Sequence, residues 1–282
     1  MSSIAIILIT LAAAVVNGAL GYGFSSITVP IALLFLSNRV LNPALIPIEV
    51  ALNAYVLWVN RAALPLVVRR VTPVAIGLVP GVIIGTLIIA RVSPAWLKLS
   101  TYFALLPLIL LQAMGYRRPI NAEASAGAAF GSGVGVLYAV TTISGPPLAL
   151  ALNNQGFSKQ EFRAALGFIR LAESSLTALA YVAAGLFSRE SAALIPRILP
   201  SVAVGVPIGT FVIRHVKAET FRRVCMSFDA WVVGFGISTL LRDMRIVDSA
   251  AAYTVLAAVI AVDAWLLYRY FFTLARGPAP AR

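Results

Sequence analysis

Two apolar stretches of this chain break in the same way, and those breaks limit the fold more than any other feature. Residues 17–34 read NGALGYGFSSITVPIALL, and residues 131–151 read GSGVGVLYAVTTISGPPLALA. Each sets glycines, an aromatic, small hydroxyl residues and proline inside apolar sequence long enough to enter a bilayer. A helix interrupted there leaves backbone groups without helical partners. Hydrocarbon tolerates that only where protein or a water-filled cavity surrounds them. Paired interruptions, one per half of a chain, point to a binding site between half-helices.

The surrounding composition fits a bilayer. The 282 residues are 60% hydrophobic and 11% charged, where soluble domains carry roughly a quarter charged residues. The net charge of +12 comes from basic residues between apolar runs, where they set orientation and meet anionic headgroups. That placement excludes a nucleic-acid partner and makes the lipid bilayer the expected one. The single cysteine, Cys225, excludes an internal disulfide, and the single histidine, His215, lies among Arg214, Lys217, Arg222 and Arg223. A metal site needs several such ligands together, so none is expected, nor any cofactor.

Apolar runs fall at 4–20, 24–37, 44–60, 71–90, 96–114, 122–140, 146–156, 164–187, 191–213, 219–240 and 249–274. Residues 1–16 lack a basic start and lead into a break mirrored downstream, so they are expected to belong to the fold. Gly81-Val-Ile-Ile-Gly85-Thr86 matches Gly205-Val-Pro-Ile-Gly209-Thr210 at an offset of 124, and Pro30 falls opposite Pro147 at 117. The chain therefore reads as a duplication: a first transmembrane repeat over 1–118, a second over 119–244, an extra helix over 245–276 and a disordered tail over 277–282.

Residues 4–37 as one helix would be about 50 Å long, against a hydrocarbon core of about 30 Å. A re-entrant hairpin resolves the excess. Each half then has a broken first helix plus three spans, an odd number, and the halves are inverted. Basic residues support this arrangement. One side collects Arg61, Arg69, Arg70, Arg117, Arg118, Lys159, Arg163, Arg214, Lys217, Arg222, Arg223, Arg269, Arg276 and Arg282. The other holds Arg39, Arg91, Lys98, Arg189, Arg197, Arg242 and Arg245, a fourteen-to-seven split. The richer side is cytoplasmic by the positive-inside rule, which puts the N-terminus outside and the C-terminus in the cytoplasm. The expected fold is an all-α polytopic membrane protein of two inverted-topology repeats and an extra C-terminal span.

Polar residues inside apolar spans carry the functional reading. Arg170, in GFIRLAESS, is the only basic residue deep within a span, and an Arg at the bilayer centre costs about 2.5 to 3.5 kcal/mol on insertion scales. Glu173 lies on the same helical face, and Glu49, in IPIEVALN, sits at a similar place in the other half. These residues either lock helices together or meet an anion and a proton, with Glu49 and Glu173 as the proton-coupling candidates. Asp229 and Asp263 stand without repeat counterparts and read as packing or interface residues. The GxxxG pairs Gly81/Gly85, Gly127/Gly131 and Gly205/Gly209 read as close helix contacts. The GxGxG string of Gly131, Gly133 and Gly135 lacks the strand and helix of a nucleotide fingerprint.

The breaks offer donors: Ser25, Ser26 and Thr28 in one, Thr141, Thr142 and Ser144 in the other. A half-helix starting there directs free N–H groups at the break, and hydroxyls add donors, which suits an anion. The alternative is that these residues merely cap and turn the chain.

NGALGYGFSSITVP, its second copy GSGVGVLYAVTTISGPP followed by NNQGFSKQEFRAALGF, and the GxxxGT helix of each half together resemble the TauE/SafE family of membrane permeases. The resemblance runs through roughly residues 5–240. It implies a bacterial inner-membrane protein linked to export of sulfite or organosulfonates such as sulfoacetate. By position it implies that Asn17 to Pro30 and Gly131 to Pro147 line the central site. The expected substrate-binding set is Asn17, Gly21, Gly23, Ser25, Ser26, Thr28, Gly133, Thr141, Thr142, Ser144 and Arg170. Arg170 and Glu173 stand where many members have small or hydroxyl residues, and the first break has Ala19, Leu20 and Tyr22 where the family often shows more glycine.

Other classes fit less well. No Walker motif is present for ATP hydrolysis, and no nucleophile with a base or metal set for an intramembrane enzyme. A passive anion channel with paired half-helices is the rival to a secondary transporter working by alternating access. The expected partners are a small anionic substrate and lipid, with a homodimer as a candidate assembly.

Overall fold

A computed structural model describes residues 3–114, 124–153, 157–215 and 218–273. The expected boundary at 118/119 and the tail 277–282 lie outside the described residues. Among those described there are eleven α-helices and no strand. Among the described residues six helices are long and apolar enough to cross a membrane, and Ile4–Leu20, Pro94–Leu110 and Ala126–Thr141 are shorter apolar helices. The chain is an all-α, multi-pass membrane protein.

The helices come in two like series. The first is α1 (Ser3–Leu20), α2 (Phe24–Ala32), α3 (Asn38–Val59), α4 (Leu64–Arg91) and α5 (Pro94–Met114). The second is α6 (Ala124–Thr141), α7 (Gly145–Asn153), α8 (Lys159–Ala183), α9 (Arg189–Val212) and α10 (Ala218–Asp243), with α11 (Thr254–Tyr268) after it. In each series the first helix breaks for three residues: α1 ends at Leu20 and α2 starts at Phe24, while α6 ends at Thr141 and α7 starts at Gly145. The breaks are thus 121 residues apart. Pro30 therefore lies opposite Ala151, not opposite Pro147, because the two prolines stand at different turns of their half-helices.

The arms on either side of each break are unequal. Both α1 and α6 have 18 described residues and both α2 and α7 have 9, which is about 27 Å against about 14 Å at 1.5 Å per residue. The long arm nearly matches the hydrocarbon thickness and the short arm covers half of it.

Several helices begin well before their apolar runs. α4 takes in Arg69 and Arg70, and α8 starts at Lys159. Basic residues end a hydropathy run but favour helix, so the helices extend past the apolar runs. At α8 the start is fixed by a capping box: the Glu161 N–H donates to Ser158 Oγ at 3.3 Å, and the Ser158 N–H donates to Glu161 Oε2 at 2.8 Å.

Glycines set the closest helix contacts, and they exchange helices between the series. A Cβ on Gly77, Gly81 or Gly131 would collide with backbone across the α4–α6 contact, and one on Gly205, Gly209 or Gly18 would do so across α1–α9. The first helix of each series thus lies against the fourth helix of the other. Without a hydrophobic drive between helices in lipid, close backbone approach over small residues supplies the association. Ser201 Oγ donates to Ile7 O at 3.1 Å, Gly205 faces Leu11, and Gly209 faces Val15, so α1 and α9 run parallel.

The equivalent helices of the two series meet in the opposite sense. Leu57 packs on Gly167 while Asn53, one turn earlier, reaches the carbonyl of Arg170, so α3 and α8 run antiparallel. Tyr102 packs on Gly236 and Lys98 interacts with Asp243, so α5 and α10 do likewise. α11 is fastened to α10 by Asp263, which accepts from Ser227 Oγ at 2.8 Å and Trp231 Nε1 at 2.9 Å. Asp229 is fully buried, and neither of its carboxylate oxygens has a hydrogen-bond partner among the described residues. Ile76, Ile83, Leu179, Val204, Phe211 and Trp265 point outward and form part of the face offered to lipid.

Candidate functional site

Each break is held open by particular residues. In the first, Gly21 and Gly23 adopt φ of 82° and 107°, a region that side chains with a Cβ seldom occupy. In the second, Thr142 itself takes φ 56°, at a cost on the order of 1 to 2 kcal/mol. Its hydroxyl donates to the Thr141 carbonyl at 2.7 Å. Thr141 Oγ1 donates to Leu137 O at 2.7 Å and accepts the Ile143 N–H at 3.0 Å.

Backbone carbonyls in the last turns of α6 and α2 find side chains on neighbouring helices. Val140 O accepts from Asn42 Nδ2 at 2.6 Å and from Asn38 Nδ2 at 3.3 Å, and Ala139 O accepts from the Tyr181 hydroxyl. In the first half Pro30 O accepts from Tyr102 OH at 2.8 Å. These helix-end carbonyls inside the membrane are therefore satisfied by protein. The two breaks also touch: a Cβ on Gly145 would stand 3.0 Å from the Tyr22 ring.

Beside this contact lies a buried ionic cluster. Glu49, in the middle of α3, is fully buried. Its Oε1 accepts from Ser25 Oγ at 2.5 Å and from Arg170 Nη2 at 3.0 Å, and its Oε2 accepts from Tyr138 OH at 2.7 Å. Arg170 is 3% exposed, and its Nε has no hydrogen-bond partner among the described residues. Asn53 Nδ2 donates to the Arg170 carbonyl at 3.3 Å, tying α3 to α8 at the same level.

Glu173 completes the cluster. It is fully buried, and neither carboxylate oxygen has a hydrogen-bond partner among the described residues. The Ser144 hydroxyl lies near it without closing a hydrogen bond, and Arg170 is close enough to act on it electrostatically. One guanidinium thus stands among two carboxylates, each with a hydroxyl from its own half's break beside it. Burying these charges costs several kcal/mol per ion unless partners satisfy them, and Arg170 Nε, Ser144 Oγ and both Glu173 oxygens have no hydrogen-bond partner among the described residues.

The remaining sequence candidates divide by position. Asn17 and Thr28 are buried, and Asn17 Oδ1 and Thr28 Oγ1 have no hydrogen-bond partner among the described residues. Ser26 is buried as well. Thr141 and Thr142 direct their hydroxyls into the turn. Gly133 lies on the exposed face of α6, where an added Cβ would meet nothing within 4 Å. Tyr138, Asn53, Asn42 and Tyr181 are polar participants that the sequence candidates did not include. The Tyr138 signal was present, as an aromatic inside the second broken stretch. The cleft of about 320 Å³ between α3 and α9 is lined by apolar residues such as Ile48, Leu52, Leu199 and Val202 together with Tyr55, and offers no cation to an anion.

The "Sulfite exporter TauE/SafE" family profile matches residues 6–237, which takes in both breaks, Glu49, Arg170 and Glu173. The chain belongs to the TauE/SafE family. No curated protein and no solved structure matches it. As a TauE/SafE member it is a membrane transporter, and the buried cluster lies inside the matched region.

Proposed function

We propose that this TauE/SafE protein exports a small oxyanion, sulfite or an organosulfonate such as sulfoacetate, across a bacterial inner membrane, and that the anion binds between the two breaks at Arg170. The observation that carries this reading is the buried Arg170, with an unpaired Nε, beside two interrupted helices. A guanidinium presents donors in a planar fork that suits the several oxygens of such an anion. Ser25 and Ser144 add hydroxyl donors from the two halves. The family description supports sulfite as the first substrate to test.

Alternating access follows from the pairing of the halves. The antiparallel contacts of α3 with α8 and of α5 with α10 support an inverted relation, in which one half rocks against the other around the central site. The cytoplasmic side is the one rich in Arg and Lys, which places the C-terminus inside.

Purified protein in vesicles loaded with sulfite or sulfoacetate tests the reading. Saturable flux with counterflow is expected. Flux that does not saturate and shows no counterflow would make the protein a channel, and no anion flux at all would remove the proposal.

A further inference from the structure

The one cation of this cluster already holds an anion, and the anion belongs to the protein. Glu49 Oε1 sits between Arg170 Nη2 at 3.0 Å and Ser25 Oγ at 2.5 Å. Those two donors come from different halves, and they are the pair a transported oxyanion would use. We propose that Glu49 is a tethered stand-in for the substrate, and that it yields Arg170 and Ser25 only on taking up a proton, so that one anion and one proton occupy the site together. This rests on the reading of Arg170 as the anion site.

The reasoning is electrostatic. An oxyanion reaching Arg170 while Glu49 is ionised would put two negative groups on one guanidinium in a site closed to water, where like charges repel strongly. Protonation of a Glu49 oxygen removes that conflict, weakens the hold on Arg170 and turns the carboxyl into a donor. The proton comes from solvent and returns there when the anion leaves. Tyr138 stays bonded to the other oxygen in either state, which keeps the side chain in place.

The groups facing Glu49 leave few other carriers. From α8 these are Arg170 and Glu173, and from α6 Tyr138. α2 brings Ser25 and no titratable group. The buried faces of α4 and α9 have none either, and Tyr102 of α5 is engaged with Pro30 O. Glu173 makes no hydrogen bond to Arg170, so it does not occupy the guanidinium's donors as Glu49 does.

The test is methanesulfonate binding to the purified full-length chain by titration calorimetry, from acid to mildly alkaline pH. Methanesulfonate keeps one charge throughout this range, unlike sulfite, so any pH dependence belongs to the protein. Wild-type affinity should fall as pH rises, approaching about tenfold per pH unit for one linked proton. Glu49→Gln should bind tightly with no such slope, and Glu173→Gln should keep it. A slope that persists in Glu49→Gln, or one lost only in Glu173→Gln, overturns the inference and leaves the anion site standing. Absence of binding in both wild type and Glu49→Gln overturns the inference and the site together. If Glu49→Gln does not fold, the heat of wild-type binding in buffers of different ionisation enthalpy still decides: one proton taken up per anion is expected, and none contradicts it.

Discussion

The hydroxyl of Tyr138, on the helix leading into the second break, donates to Glu49 Oε2 at 2.7 Å across 89 residues of sequence. This bond holds a buried carboxylate from a helix of the other half. A hydrogen bond to a charged group contributes about 1.5 to 3 kcal/mol. Tyr138→Phe should lower the unfolding temperature in detergent, and it should also tighten anion binding slightly, because a less firmly held Glu49 competes less well for Arg170. Calorimetry on the variant checks both directions.

Ser144 and Thr141 should respond in opposite ways. The Ser144 hydroxyl has no hydrogen-bond partner among the described residues, so Ser144→Ala should fold as wild type and bind sulfite ten- to a hundredfold more weakly, the loss of about 1.5 to 3 kcal/mol from one charge-assisted bond. Thr141 Oγ1 satisfies the buried Ile143 N–H. Thr141→Val should therefore destabilise the protein by about 1 to 3 kcal/mol with a smaller effect on affinity. Thermal unfolding and sulfite binding on both variants separate a binding hydroxyl from a turn-forming one.

The glycines divide in the same manner. Gly81→Leu and Gly209→Leu put side chains into the backbone of a facing helix, and should abolish folded, monodisperse protein. Gly133→Ala meets only open space and should leave yield, unfolding temperature and transport unchanged. Size-exclusion profiles of the three variants decide this.

How far the sequence reached follows from these residues. The apolar runs located every α-helix among the described residues, because burial in lipid demands long unbroken hydrophobicity and short polar connectors. The breaks stood out because glycine and hydroxyl residues have little other reason to recur at matched places inside such runs. Arg170 was legible because one deep basic residue has no inexpensive place in a bilayer. What was not legible was direction. Thr141 and Ser144 differ only in how the chain turns between them, and sequence composition does not record that turn. Tyr138 in an apolar run resembles any packing aromatic until its hydroxyl is seen to meet a carboxylate. Gly133 was separable in principle, since Gly131 and Gly135 are four apart and share a helical face while Gly133 lies between them on the other.

The central claim is that an oxyanion binds at Arg170, and one variant tests it without leaving either partner of the Glu49–Arg170 pair alone. Removing a single partner of such a pair costs about 3 to 5 kcal/mol, whereas replacing both is often tolerated. The measurement is sulfite counterflow in vesicles containing wild type or the double variant Glu49→Gln/Arg170→Gln, with unfolding temperatures confirming that both are folded. Saturable counterflow in wild type and its loss in a folded double variant is the predicted result. Counterflow at wild-type affinity in the double variant would show that the anion crosses without Arg170.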